Sequence, residues 1–133
     1  MKVTHLAFLG TKTGNFTETV KFFQEVLGLP IRFENYLWTG FALPSGRNHM
    51  VEVFGDDDLD PRLIPAEAGA RPLLAFEVED LEGAYQELLA AGVEIIGEIV
   101  WASDFAGHEK STGYGWVHFR APDSNIYTLV QDK

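Results

Sequence analysis

"VTHLAFLG" at Val3–Gly10 and "RPLLAFEV" at Arg71–Val78 are nearly the same phrase, and their likeness decides how the chain is read. Each sets Leu-Ala-Phe in a strand-like run, and each is followed by a helical stretch. After the first comes "GNFTETVKFFQEVLGLP" from Gly14, with Asn15 placed as N-cap and Glu18 three residues on, a capping-box pattern. Phe16, Val20, Phe23 and Leu27 recur there at helical spacing, and Gly28 with Pro30 ends the run. After the second, Asp80 is the N-cap, Leu81, Ala84, Tyr85, Leu88 and Leu89 form an apolar stripe, and Gly92 closes the helix.

Strands complete each half. The first half reads on through "IRFENY", "LWTGFAL", a turn at "PSGRN" and "HMVEVF"; the second through "EIIGEIVW", "GWVHFRA", a turn at "PDSN" and "IYTLVQ". "WTGFALPS" at Trp38 repeats as "WVHFRAPD" at Trp116. A repeat of half the chain fixes architecture before chemistry. The expected fold is α+β, two tandem β-α-β-β-β modules whose curled mixed sheets enclose a cleft. They form one domain over 1–133: module one at 1–55, a connector at 56–71 and module two at 72–133.

Composition narrows the function. At 133 residues, 46% hydrophobic and 23% charged, the chain suits one globular domain and not a disordered segment. Without cysteine it has no disulfide or thiolate chemistry. No apolar run nears the ~20 residues of a membrane span, so the expectation is a cytoplasmic protein without a membrane partner. A net charge of −10 argues against nucleic acid, whose phosphates need a basic surface. The connector holds Asp56, Asp58, Asp60 and Glu67 at the spacing of a calcium loop, but Pro61 stands where the sharp turn needs glycine. Calcium is rejected on that ground.

Side chains alternate between the helix-packed and open faces of a sheet. Leu6 and Phe8 are expected against the first helix, which turns Val3, His5 and Ala7 to the cleft. The same reading turns Leu73, Ala75 and Glu77 inward, with Trp38, Gly40 and Ala42, and with Met50, Glu52 and Phe54. In the second module it turns Trp116, His118 and Arg120 inward, together with Ile126, Thr128 and Val130. Trp38, Trp116, His118, Arg120 and Thr128 are therefore the candidate ligand-binding residues, with Trp101 a further stacking surface for a flat or cationic ligand. The loop "ASDFAGHEKSTGYG", which carries His108, is long and glycine-containing and is expected to act as a lid.

The doubled plan, with "HLAF", "FFQEVLGLP", "MVEVF", "LLAFEVEDLEGAYQELLAAGVE" and "APDSNIYTLV", resembles the vicinal oxygen chelate superfamily. That group includes lactoylglutathione lyase, bleomycin-resistance proteins and extradiol dioxygenases. The resemblance implies one divalent metal, zinc, nickel, manganese or iron, held by four residues on strands one, four, five and eight. His5 and Glu52 match the first two positions as metal ligands, with Glu52 also the catalytic carboxylate. Leu73 and Thr128 fall on the other two and are not usable ligands, so no cofactor is assured. The resemblance implies a small-molecule-binding member with an incomplete metal site, paired with a second copy of itself as a homodimer. The alternative is a metal-dependent lyase, isomerase or dioxygenase-type enzyme using His5, Glu52 and a recruited His118. A third reading is an accessory domain that has kept the fold and lost the chemistry.

Overall fold

The computed structural model describes residues 1–44, 49–56 and 58–133. The turn expected at "PSGRN" lies, beyond its first residue, outside the described residues. Two compact units divide the chain: residues 6–74, and residues 1–5 with 75–133.

In the first module, β1 (Val3–Thr13), which belongs to the first unit from Leu6 on, leads into α1 (Phe16–Lys21), β2 (Ile31–Asn35), β3 (Trp38–Ala42) and β4 (Met50–Gly55), with strand order β2-β3-β4-β1. The sheet is mixed, since β1 runs parallel to β4 while β3 is antiparallel to both of its neighbours. Phe41 and Val53 are fully buried on the helix side, where the Phe23 ring meets Phe41 edge-on at 5.5 Å.

Helix α1 departs from its expected form in two places. Asn15 makes no side-chain cap; its own N–H donates to Thr13 Oγ1 at 3.0 Å. Beyond Lys21 the helix runs on as a π-helical turn, Phe22–Val26, closed by Leu27 N–H to Phe22 O at 3.1 Å. The extra residue in that turn rotates the succeeding side chains by roughly 100°. Leu27, expected on the buried stripe, is consequently 53% exposed.

From Phe8 onward, strand β1 lies the other way up from expectation. Gly10 pairs with Glu52, and the Phe8 ring lies 6.4 Å from Phe54, so Phe8 packs on the face that carries Glu52 and not against α1. Leu6 is half exposed. In "HLAFLG" the apolar Leu9 follows the Leu6–Phe8 pair, so both parities offer an apolar residue and alternation alone does not choose between them.

The second module is β5 (Leu73–Val78), α2 (Leu81–Ala90), β6 (Glu94–Trp101), β7 (Tyr114–Arg120) and β8 (Ile126–Asp132), in strand order β5-β8-β7-β6. Asp80 caps α2 by accepting the Gly83 N–H at 3.0 Å. Gln131 adds a second acceptor for the helix start, taking the Leu81 N–H at 3.0 Å. Leu81, Ala84 and Leu88 bury against Val78, Val117 and Leu129. Leu89, counted in the stripe, lies off it and is 45% exposed. Trp101, expected as a stacking surface, packs instead against this helix-side core, lying over Gly115 where a Cβ would come within 2.5 Å of the indole. Gly28 and Gly92, which end the two helices, both take positive φ, 69° and 74°. The fold is the expected α+β arrangement of two β-α-β-β-β modules. Among the described residues no helix is long and apolar enough to cross a membrane.

Candidate functional site

The face of the first sheet turned away from α1 carries one buried carboxylate in an aromatic surround. Glu52 is 2% exposed, and its Oε1 accepts the Trp38 indole N–H at 2.6 Å. Trp38 stacks on Phe54 with centroids 5.8 Å apart, and Phe33 meets Trp38 edge-on at 5.2 Å. Gly40 makes this possible, because Phe33 lies so close above it that a Cβ would fall 2.2 Å from the ring. Burial pushes the Glu52 carboxyl up to about 8, and the Trp38 hydrogen bond offsets only part of that rise.

The second module places a different pair at the matching position. His118 on β7 sits opposite Thr128 on β8, and Nδ1 of the ring lies 2.8 Å from the threonine hydroxyl. Both are buried, at 3% and 1% exposure. Trp116 pairs with Val130 on the same face and is also buried. Arg120 lies at the end of β7, where Nε donates to Glu94 Oε2 at 2.6 Å and Nη1 to the Ser124 carbonyl at 2.9 Å. Its guanidinium is thereby committed to the hairpin end.

His5 belongs to this second unit. Its Nε2 lies 2.8 Å from Glu77 Oε2, within ion-pair range though without hydrogen-bond alignment. Thr4 Oγ1 donates to the Glu77 carbonyl at 3.2 Å beside it. Glu77 is the partner that the sequence reading did not single out. Its inward position in the alternation of β5 was the available signal. Phe105, from the β6–β7 loop, is the other residue missed: its ring lies 5.8 Å from Trp116, tilted by 30°.

The donor set does not suit a divalent metal. Glu52 is engaged by Trp38, His5 is paired with Glu77, the Thr128 hydroxyl is held by His118, and Leu73 offers no donor. Among the described residues, no three His, Asp or Glu side chains gather as a metal site needs. The residues present do not fit the four-ligand centre that the resemblance implies.

A family model for the Glyoxalase/Bleomycin resistance protein/Dioxygenase superfamily matches residues 3–125. YraH of Bacillus subtilis (strain 168) is 29% identical over 141 aligned positions, which cover 98% of each chain. Among solved structures, methylmalonyl-CoA epimerase from Mycobacterium tuberculosis superposes with a TM-score of 0.72 at 16% identity, covering 98% of this chain and 89% of that one. The Mn(II)-bound glyoxalase from Novosphingobium aromaticivorans gives 0.67 at 16% identity, covering 98% of this chain and 41% of that one.

Proposed function

Because the chain belongs to the Glyoxalase/Bleomycin resistance protein/Dioxygenase superfamily, we propose that it is a small-molecule-binding member that works without the four-ligand metal centre. One observation carries this reading. At matching positions on the open faces of the two modules, the polar groups are tied to their own neighbours, Glu52 to Trp38 and Thr128 to His118. Of the four positions that the resemblance assigns to a metal, Leu73 has no donor atom and the Thr128 hydroxyl is held by His118, and among the described residues no three His, Asp or Glu side chains gather as a divalent ion needs.

The structural neighbours bear the names of an epimerase and a glyoxalase, so the fold selects no single reaction. What supports binding is the chemistry of the open faces. Trp38 and Phe54 in one module, and Trp116 beside His118 and Thr128 in the other, combine aromatic area with a few placed polar groups. As the superfamily resemblance suggests, the protein acts as a two-fold homodimer, and its lack of a membrane-length apolar run is in keeping with a place in the cytoplasm.

Elemental analysis of untagged protein, followed by tryptophan fluorescence titrations with manganese, zinc and a planar cationic dye, tests the reading. The expected result is substoichiometric metal and saturable dye binding unaffected by chelator. Stoichiometric metal that is lost on His118→Ala overturns it in favour of a metal-dependent enzyme.

A further inference from the structure

The β6–β7 loop, residues 102–113, is hung from two fixed ends. At one end Ala102 is buried in a short 3-10 turn, Ala102–Asp104. At the other the Gly113 carbonyl accepts both Gln131 Nε2 and the Lys133 N–H, each at 3.2 Å. Between the two, the backbone closes local turns: Phe105 N–H to Ala102, His108 N–H to Phe105 and Ser111 N–H to His108, at 2.8–3.0 Å. Gly107 and Gly113 both take φ of 86°, a conformation that other residues adopt only under strain. Asp104, Ala106, Gly107 and residues 109–112 are exposed. Phe105 is the loop residue that turns its ring onto the sheet's open face, where it meets Trp116.

We propose that this loop is a lid closed over the second module's open face, with Phe105 as its plug, and that a flat aromatic molecule takes the plug's place against the Trp116 indole. The proposal rests on the small-molecule reading above and specifies its ligand class. Two aromatic rings at this spacing attract through area and quadrupole, and an incoming flat ring satisfies the indole equally well. The buried His118–Thr128 pair lies on the same face as Trp116, beside the place such a ligand takes. A lid built from local turns between anchored ends opens without unfolding the sheet behind it.

A plug that must leave before the ligand enters lowers the apparent affinity by the fraction of time the site stands open. Removing it therefore strengthens binding, the reverse of what deleting a contact residue does. The test labels the full-length protein with 5-fluorotryptophan, assigns the Trp116 resonance through Trp116→Phe, and titrates indole as the flat probe with cyclohexanol as the non-planar control. The expected result is that indole moves the Trp116 resonance while cyclohexanol does not. Phe105→Ala should raise indole affinity about fivefold or more. Hydrogen exchange on the unaltered protein supplies a readout that needs no variant: amides of 105–111 should exchange at least about a hundredfold faster than those of 116–119. Equal protection of loop and strand overturns the lid, as does a Phe105→Ala protein that fails to fold. Indole binding that ignores Phe105 sinks the lid and spares the small-molecule reading. Fast loop exchange with no indole binding, in parent and variant alike, sinks the ligand assignment and that reading together.

Discussion

Replacing Glu52 with glutamine isolates the energetic consequence of burying an acid. The amide keeps an acceptor for the Trp38 N–H and removes the ionisation. In the folded protein the carboxyl titrates at about 8, against an ordinary value of 4.5, with burial as the main cause. Below 4.5 both the folded and unfolded chains hold the proton, and this group adds no pH dependence. Between 4.5 and about 8 the folded state keeps a proton that the unfolded state has released, so stability falls as pH rises. Above 8 both states are ionised and the loss is complete. At about 1.4 kcal/mol per pH unit, that window sets a ceiling of roughly 5 kcal/mol. Local relaxation around the carboxylate reduces the measurable loss to about half of that. Urea unfolding of both proteins at intervals from pH 4.5 to 9 measures it. Subtracting one curve from the other cancels the remaining carboxylates. Glu52→Gln should match the parent or fall slightly below it at pH 4.5 and exceed it by about 2–3 kcal/mol at pH 8.5. A difference that stays flat within about 0.5 kcal/mol across this range refutes the reasoning.

Gly40→Ala should drive Phe33 off Trp38, since the new methyl would fall 2.2 Å from the ring. A loss of about 1–3 kcal/mol with a shifted Trp38 emission is expected, and unchanged emission would show that the ring accommodates the methyl in place. A Cβ at Gly28 would meet no atom within 4 Å, so the cost of Gly28→Val is chiefly that of positive φ at 69°. Calorimetry should show a destabilisation of about 1–2 kcal/mol with ligand binding unaltered; an unchanged Tm contradicts the backbone assignment.

The duplicated plan was legible because it is written in strand and helix periods and in the paired phrases at Trp38 and Trp116. Asp80 and the Leu81–Ala84–Leu88 stripe were legible for the same reason, since one cap and one buried face specify that helix. What failed were choices that local pattern leaves degenerate. Leu6, Phe8 and Leu9 make either face of β1 acceptable. The π turn after Lys21 has no signature in the residues and displaces Leu27. Trp101 stands at the end of a strand whose pairing shifts register between Ile96 and Val100, and that shift decides its face. In the candidate site, the substitutions at Leu73 and Thr128 were readable by position. That Thr128 would be held by His118, His5 by Glu77 and Trp116 by Phe105 depends on cross-strand and loop contacts that no single stretch encodes.

Glu52 with Trp38 and Thr128 with His118 have a consequence for how such a chain can change. The two modules share one phrase, yet each meets the same position with its own couple, an acid with an indole donor or a hydroxyl with an imidazole. Either residue of a couple, replaced singly by a side chain without the matching donor or acceptor, strands a buried polar partner at a cost of about 1–3 kcal/mol. Substitutions there are therefore epistatic, favourable in company and harmful alone. A lineage that has passed from one couple to the other cannot easily step back one residue at a time. Divergence between the halves becomes a ratchet, and the copies grow less interchangeable with every couple that settles.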